Sequence, residues 1–293
     1  MSATTLSPAG QRRRAILCVL GSSACFTVAA ALVKFVGGAV PTVEVMFFRS
    51  AIACLCMVPL MPRAGGWSVL YTRRPLGHLW RAVAGLSGMF GSFYGYTHLP
   101  LATVTALSFS MPLVMAILAV PMLRERVGPH RAAAVGAGLL GVLLVLRPWQ
   151  AGGDTPLTPA LIVLAGVVFW ALAMISIRQM GQAGERNITI VILFTLTATV
   201  LSGLLVAPVW VTPGGSVLLA LLGIGAVSAV AQLLMTEGYR SGEATMLAPF
   251  EYGAILYTVV MGALIWGEVP GTWEFAGIGI LVASGLYSWW REG

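Results

Sequence analysis

The chain has 293 residues, of which 58% are hydrophobic and 9% charged, with 35 glycines and a formal net charge of +7. Soluble domains carry about 25% charged residues, so this composition excludes an ordinary water-soluble protein and points to a bilayer as solvent. The positive balance does not point to nucleic acid: the basic residues sit in short clusters between apolar runs, and Lys34 is the only lysine among them.

A bilayer-spanning helix needs about 20 mostly apolar residues. Ten runs qualify: Ala15–Val36, Val45–Met61, Leu79–His98, Ala102–Leu123, Ala132–Leu146, Ala160–Ile177, Ile188–Trp210, Val217–Thr236, Ala244–Trp266 and Phe275–Trp290. The first follows "QRRR" but exceeds the signal-peptide core of about 7–15 residues and has no clean cleavage site, so it reads as a retained helix. Cys18, Cys25, Cys54 and Cys56 fall in the first two runs without CxxC spacing and read as small buried apolar residues. The longest connections, "PRAGGWSVLYTRRPLG" and "RPWQAGGDTPLTP", leave no room for a soluble domain.

Ten spans put both termini on one side. With that side cytosolic, Arg12, Arg13, Arg14, Arg63, Arg73, Arg74, Arg124, Arg126, Arg131, Arg186, Arg240 and Arg291 lie inside, and only Arg147 falls in an outer loop. This is the positive-inside asymmetry of a multi-pass membrane protein with both termini cytosolic. Trp67, Trp149, Trp210, Trp266, Trp289 and Trp290 lie near run ends, where interfacial aromatic belts sit.

Two stretches repeat. "LSFSMPLVMAILAVPMLRERV" begins at Leu107 and "FEYGAILYTVVMGALIWGEVP" begins 143 positions later at Phe250. At that offset, without a gap, Gly95 matches Gly238, Tyr96 matches Tyr239, Glu125 matches Glu268, Gly128 matches Gly271 and Gly136 matches Gly279. The first and sixth runs match more loosely, Phe26 against Phe169. Two halves of five helices each, residues 1–150 and 151–293, follow. Five is odd, so the second half enters the membrane from the opposite face. The expected fold is all-α integral membrane, with ten transmembrane helices as two inverted five-helix repeats, and such repeats bind substrate near the midplane between them.

Several stretches carry a family resemblance: "EVMFFRSAIACL", "YTHLPLATVTALSFSMPLVMAILAVPMLRERV", "YRSGEATMLAPFEYGAILYTVVMGALIWGEVP", and the glycine-rich "AAAVGAGLLGVLLVL" and "FAGIGILVASGLY". Over nearly its whole length the chain resembles a pair of EamA-type repeats of the drug/metabolite transporter superfamily. "SFSMPL" and "APFEY" are most similar to a bacterial branch that includes S-adenosylmethionine uptake carriers, with riboflavin carriers and amino-acid or metallophore exporters as more distant relatives. The resemblance implies a small organic substrate, amino-acid-derived or heteroaromatic, and fixes neither its identity nor its direction.

Charges inside a bilayer cost several kcal/mol and ask for a reason. Arg49, in the second run, is a candidate anchor for a substrate carboxylate or phosphate, or a partner for Glu44. Lys34 is a further candidate, or snorkels to the interface. Glu251, beside Pro249, is placed to bind a substrate cation or carry a coupling proton, or else pairs with an arginine. Ser108 and Ser110 precede Pro112 in the same way. Tyr94 and His98, at i and i+4, share a helix face and are candidates for the cavity wall. Trp170, Gln232, Phe250 and Tyr252 are candidates for the same wall. Glu125 and Glu268 read as ion pairs or helix caps, or else as gating residues, and Glu237 pairs with Arg240. Gly91 and Gly95, and "GAGLLG", read as close helix contacts.

The resulting expectation is a secondary transporter acting on a small-molecule substrate in a lipid bilayer, with no nucleic acid, no metal, no cofactor and no indicated oligomer. No Walker-type GxxxxGK[ST] loop points to ATP. An integral-membrane lipid or prenyl transferase is the rival, but Asp154 is the only aspartate and His78, His98 and His130 are scattered.

Overall fold

The computed structural model describes residues 8–64, 66–111, 114, 117–118, 129–146, 156–241 and 253–292. Among the described residues ten main helices run in chain order: α1 (Pro8–Val36), α2 (Thr42–Met57), α3 (Pro75–His98), α4 (Leu101–Ser108), α5 (Pro129–Leu146), α6 (Leu157–Gln182), α7 (Asn187–Val206), α8 (Gly215–Ser241), α9 (Gly253–Trp266) and α10 (Thr272–Glu292). Among the described residues there is no strand. Four stretches, Arg13–Val36, Leu157–Ile177, Ile188–Val209 and Gly215–Met235, are each long and apolar enough to cross a membrane. Pro112, Glu125, Phe250, Glu251 and Tyr252, and the side chains of Glu237 and Arg240, lie outside what is described.

Helix ends follow local chemistry. Pro75 opens α3 at a position whose N–H would have no helical partner. α4 is interrupted after Ser108, inside the expected run Ala102–Leu123, and residues 111, 114 and 117–118 are helical again. There the Phe109 N–H is shared between the carbonyls of Thr105 and Ala106, each at 3.1 Å, and the Ser110 N–H reaches back only three residues to Leu107 at 3.0 Å. Pro112, having no N–H, could not bond the Ser108 carbonyl in any case. α9 ends at Trp266, and the next residue, Gly267, has a left-handed φ of +69°. That turn brings the Glu268 N–H to the Gly262 carbonyl at 3.0 Å and swings its side chain back over the helix end.

The most extensive helix pairings all join one half to the other: α1 with α8, α3 with α6, α5 with α10, and α2 with α7. They are symmetric under exchange of the halves. Replacing each helix by the one five places away turns α1–α8 into α6–α3, α2–α8 into α7–α3 and α1–α9 into α6–α4, all of which occur. The pairs α5–α10 and α2–α7 map onto themselves. The core therefore sits between the halves. One buried cluster gathers Val33, Met46, Met89, Leu221 and Ile224; another gathers Leu107, Val145, Val163 and Leu281.

Glycine sets two of these crossings. A methyl group on Gly91 would stand 2.7 Å from the Gly166 Cα, and one on Gly277 would stand 2.7 Å from the Gly141 carbonyl oxygen. Those backbones meet only because neither residue has a Cβ. Gly95 instead faces Val163 and Val104, and nothing lies near Gly136. The cysteines differ from expectation: Cys18, Cys25 and Cys54 are half-buried and Cys56 is exposed on the flank of the bundle. An apolar side chain on a membrane-facing helix surface needs no protein cover, which is why the expected burial does not hold.

Candidate functional site: a two-lobed cavity between the halves

Two cavities of about 300 and 290 Å³ meet at the centre of the bundle. They share Arg49, Trp170, Ser228, Gln232 and Met235 as lining residues. Arg49 comes from α2, Trp170 from α6, and the other three from α8, so both halves contribute. The first lobe extends past Arg81 and Phe194; the second extends past Phe26, Tyr96 and Ser108.

Arg49 does not pair with Glu44. Glu44 is fully buried, its Oε2 accepts the Val211 N–H at 3.1 Å, and its Oε1 has no partner among the described residues. Arg49 instead directs Nη1 at the Met89 sulfur at 3.0 Å, a weak acceptor. Arg81, on α3, is 6% exposed, and its Nε and Nη1 have no hydrogen-bond partner among the described residues. Its guanidinium lies over the Phe194 ring, 4.1 Å from the centroid. Gly85, one turn along α3, makes room for that stack: a Cβ there would collide with Arg81 Nη1 and stand 2.7 Å from Phe194 Cε2. Among the described residues no acidic side chain lines either lobe.

Of the remaining sequence candidates, Ser108 lines the second lobe, with its hydroxyl donated to the Val104 carbonyl at 2.8 Å. Ser110 is buried outside both lobes and bonds the Leu107 carbonyl at 2.6 Å. Tyr94 and His98 do share a face, with rings stacked at 4.0 Å, and His98 Nδ1 lies 2.8 Å from the Tyr94 carbonyl. They line neither lobe; their ladder continues to exposed Phe90 on the flank.

Lys34 is tied down at one end of the bundle. Its Nζ lies 2.6 Å from Glu268 Oε1, donates to the Leu99 carbonyl at 2.9 Å and sits 5.5 Å from the centre of the Trp266 ring. Glu268 Oε2 also accepts the Leu101 N–H at 3.4 Å. This contact joins α1 and the α3–α4 turn of the first half to the end of α9 in the second. A second knot crosses between the halves elsewhere. Glu185, in the α6–α7 turn, accepts the Thr72 hydroxyl at 2.7 Å and the Arg73 N–H at 3.3 Å, with His78 Nε2 3.7 Å away, beyond hydrogen-bond length. The Thr72 hydrogen bond, with the Arg73 N–H and His78 behind it, holds the Glu185 carboxyl below its ordinary value of 4.5 against the opposing effect of burial.

The cavity residues that sequence reasoning passed over are Arg81, Phe194, Ser228, Phe26 and Tyr96. Only Arg81 carried a signal: it stands inside the run Leu79–His98, where the cost of an intramembrane charge flags it as it flagged Arg49. Among the described residues no group of His, Cys, Asp and Glu is gathered to hold a metal ion.

Ten helices in two halves around a shared central cavity define a membrane transporter of small molecules. The chain belongs to the EamA-like transporter family, whose model matches it twice, over residues 13–147 and 157–289. It is 30% identical to a riboflavin transporter of Rhizobium johnstonii, over 85% of this chain and 81% of that one. It is 31% identical to a pseudopaline exporter of Pseudomonas aeruginosa, over 91% and 92%. An S-adenosylmethionine uptake transporter of Rickettsia felis is 26% identical, over 88% and 86%. These relatives are transporters, not enzymes, and identity does not set the S-adenosylmethionine branch above the others. A solved crystal structure shares the fold with a TM-score of 0.63 and 20% identity, over 94% of this chain and 96% of that one.

Proposed function

We propose that the protein is a secondary transporter that carries a small organic metabolite, amino-acid-derived or heteroaromatic, across the bacterial cytoplasmic membrane by alternating access. S-adenosylmethionine, riboflavin and amino acids are the compounds to try first. The observation that carries this reading is the junction of the two lobes, where Arg49 from the first half meets Trp170 and Gln232 from the second. A central site shared by both halves can be handed from one face to the other as the halves rock. The exchange-symmetric helix pairing supports taking residues 1–150 and 151–293 as inverted repeats, since two conformations can then interconvert by swapping the roles of the halves.

In the proposed orientation both termini are cytosolic. The Lys34–Glu268 contact then shuts the outer mouth, and the Arg81 lobe faces the cytosol. Glu251 belongs to this reading through the repeat: it stands 143 positions after Ser108, which lines the second lobe. We assign it a substrate cation or a coupling proton. Export on the same scaffold is the second reading, favoured by the 31% identity to an exporter.

The test is purified full-length protein in proteoliposomes, offered a substrate panel in both uptake and efflux directions. Saturable movement of one compound, absent from empty liposomes, is expected; turnover of a lipid without any transport overturns the reading. Reporter fusions at Ala151 and Gly293 are expected on opposite faces, and fusions on one face overturn the orientation.

A further inference from the structure

We infer that the transported molecule is an organic oxyanion, a carboxylate or phosphate ester on a flat body, held by Arg81 and Arg49 in the first lobe. This rests on the transport reading of the cavity and adds a charge and a shape to its substrate. Arg49 and Arg81 line the same cavity of about 300 Å³, and among the described residues no carboxylate lines it with them. The nearest acid in the sequence, Glu44, is engaged by the Val211 N–H. Arg81 is 6% exposed and leaves Nε and Nη1 unpartnered. A buried cation without a counter-charge is costly, so buried Arg81 beside half-buried Arg49, with no carboxylate among the described residues of the lobe, leaves room for a counter-ion that comes and goes.

Guanidinium geometry names that counter-ion. A planar guanidinium with five N–H donors and no acceptor matches the oxygens of a carboxylate or phosphate. On Arg81 the open atoms are Nε and Nη1, which lie on opposite edges of the guanidinium plane and donate separately rather than as one fork. The guanidinium is not free to swing away, because it is stacked on Phe194 and its position depends on the bare Cα of Gly85. Arg49, whose one hydrogen bond among the described residues goes to the Met89 sulfur, can close on the same anion from α2. Trp170 borders both lobes and offers a face for the flat part of the ligand.

Two probes test this on the full-length protein in detergent, read by thermal stabilisation. Indole-3-acetate carries the carboxylate, and indole-3-acetamide has nearly the same shape without the charge. The acid is expected to stabilise the protein at least about tenfold more potently than the amide, the size of one charge-assisted hydrogen bond. Phenyl phosphate beside the two separates the anion types: stabilisation by it as well marks a general oxyanion seat, and its failure narrows the seat to carboxylates. Arg81→Gln is expected to abolish the preference for acid over amide. Gly85→Ala, which keeps every charge but intrudes on the Arg81 seat, is expected to weaken the acid and spare the amide. Equal potency of acid and amide on the parent protein overturns the inference, and that comparison needs no variant to fold. If the proteoliposomes carry a neutral compound and Arg81→Gln carries it equally well, transport stands and the oxyanion site falls. If nothing is transported while the acid still binds through Arg81, the transport reading falls and the anion site stands.

Discussion

Lys34 and Arg81 are both cations set into the helical bundle, and the fold provides for them in opposite ways. Lys34 has a carboxylate, a carbonyl and an indole face around it. Arg81 has a phenyl face and two unpartnered nitrogens. The cost of putting charge in a low-dielectric place is the same kind of cost for both. Where the protein compensates it internally, the charge acts as a fastener between halves. Where compensation is left out, the charge is available to something else.

That contrast is best broken at its open end. Arg49→Gln removes a cation from the junction of the lobes, and transport in proteoliposomes is expected to fall roughly 10- to 100-fold at normal protein levels. Unchanged transport would remove Arg49 from the site. Glu251→Gln, the repeat-related position to Ser108, is expected to cost about tenfold in the same assay. Full activity in a well-expressed variant would leave the arginines as the charged machinery.

The closed end should respond in stability first. Lys34→Met leaves Glu268 without its cation. We expect a loss of ~1–3 kcal/mol, less than for a fully buried pair because Glu268 is partly exposed. The melting temperature should drop by several degrees, and the double variant Lys34→Met/Glu268→Gln should lose less than the two single losses added. Additive losses would show that the two side chains are not coupled.

The smallest effect belongs to Glu185. Its carboxyl is held below 4.5, so the ionised form is the one the fold favours. The stability it supplies is present above 4.5 and is lost as pH falls through its lowered folded-state value. The Glu185→Gln protein should be slightly less stable at neutral pH and should lack that part of the acid-induced decline. Parallel pH curves for parent and variant would show that the knot with Thr72 carries no such coupling.

Period and composition made the ten runs and the two halves legible, because the lengths of spanning helices and the positive-inside bias act locally. Arg49 and Gln232 were legible as cavity candidates for a related reason: each is unusual for an apolar run. What the sequence could not convey is which charge is already satisfied. Lys34 and Arg49 are equally costly on paper, and only the position of Glu268, contributed by the other half, separates them. Phe194 and Ser228 were unreadable because an aromatic ring and a hydroxyl in apolar runs are ordinary there. Their role comes from facing Arg81 and Arg49 across helices far apart in the chain. The interruption after Ser108 was half legible, since Pro112 announced a break without saying that the turn would tighten before it.

The symmetric pairing of helices also bears on how the molecule is made. α1 packs against α8 and α3 against α6, so the first helix inserted must wait for the eighth before its groove is filled. At a synthesis rate of about 5–20 residues per second, the interval between them is on the order of 10–40 s. For the first part of it, until α6 and α7 are made, the surfaces bearing Gly91 and Arg81 face lipid or an insertion factor, without Gly166 and Phe194. A chain arrested after α5 would hold its core residues and have almost nothing to pack them against.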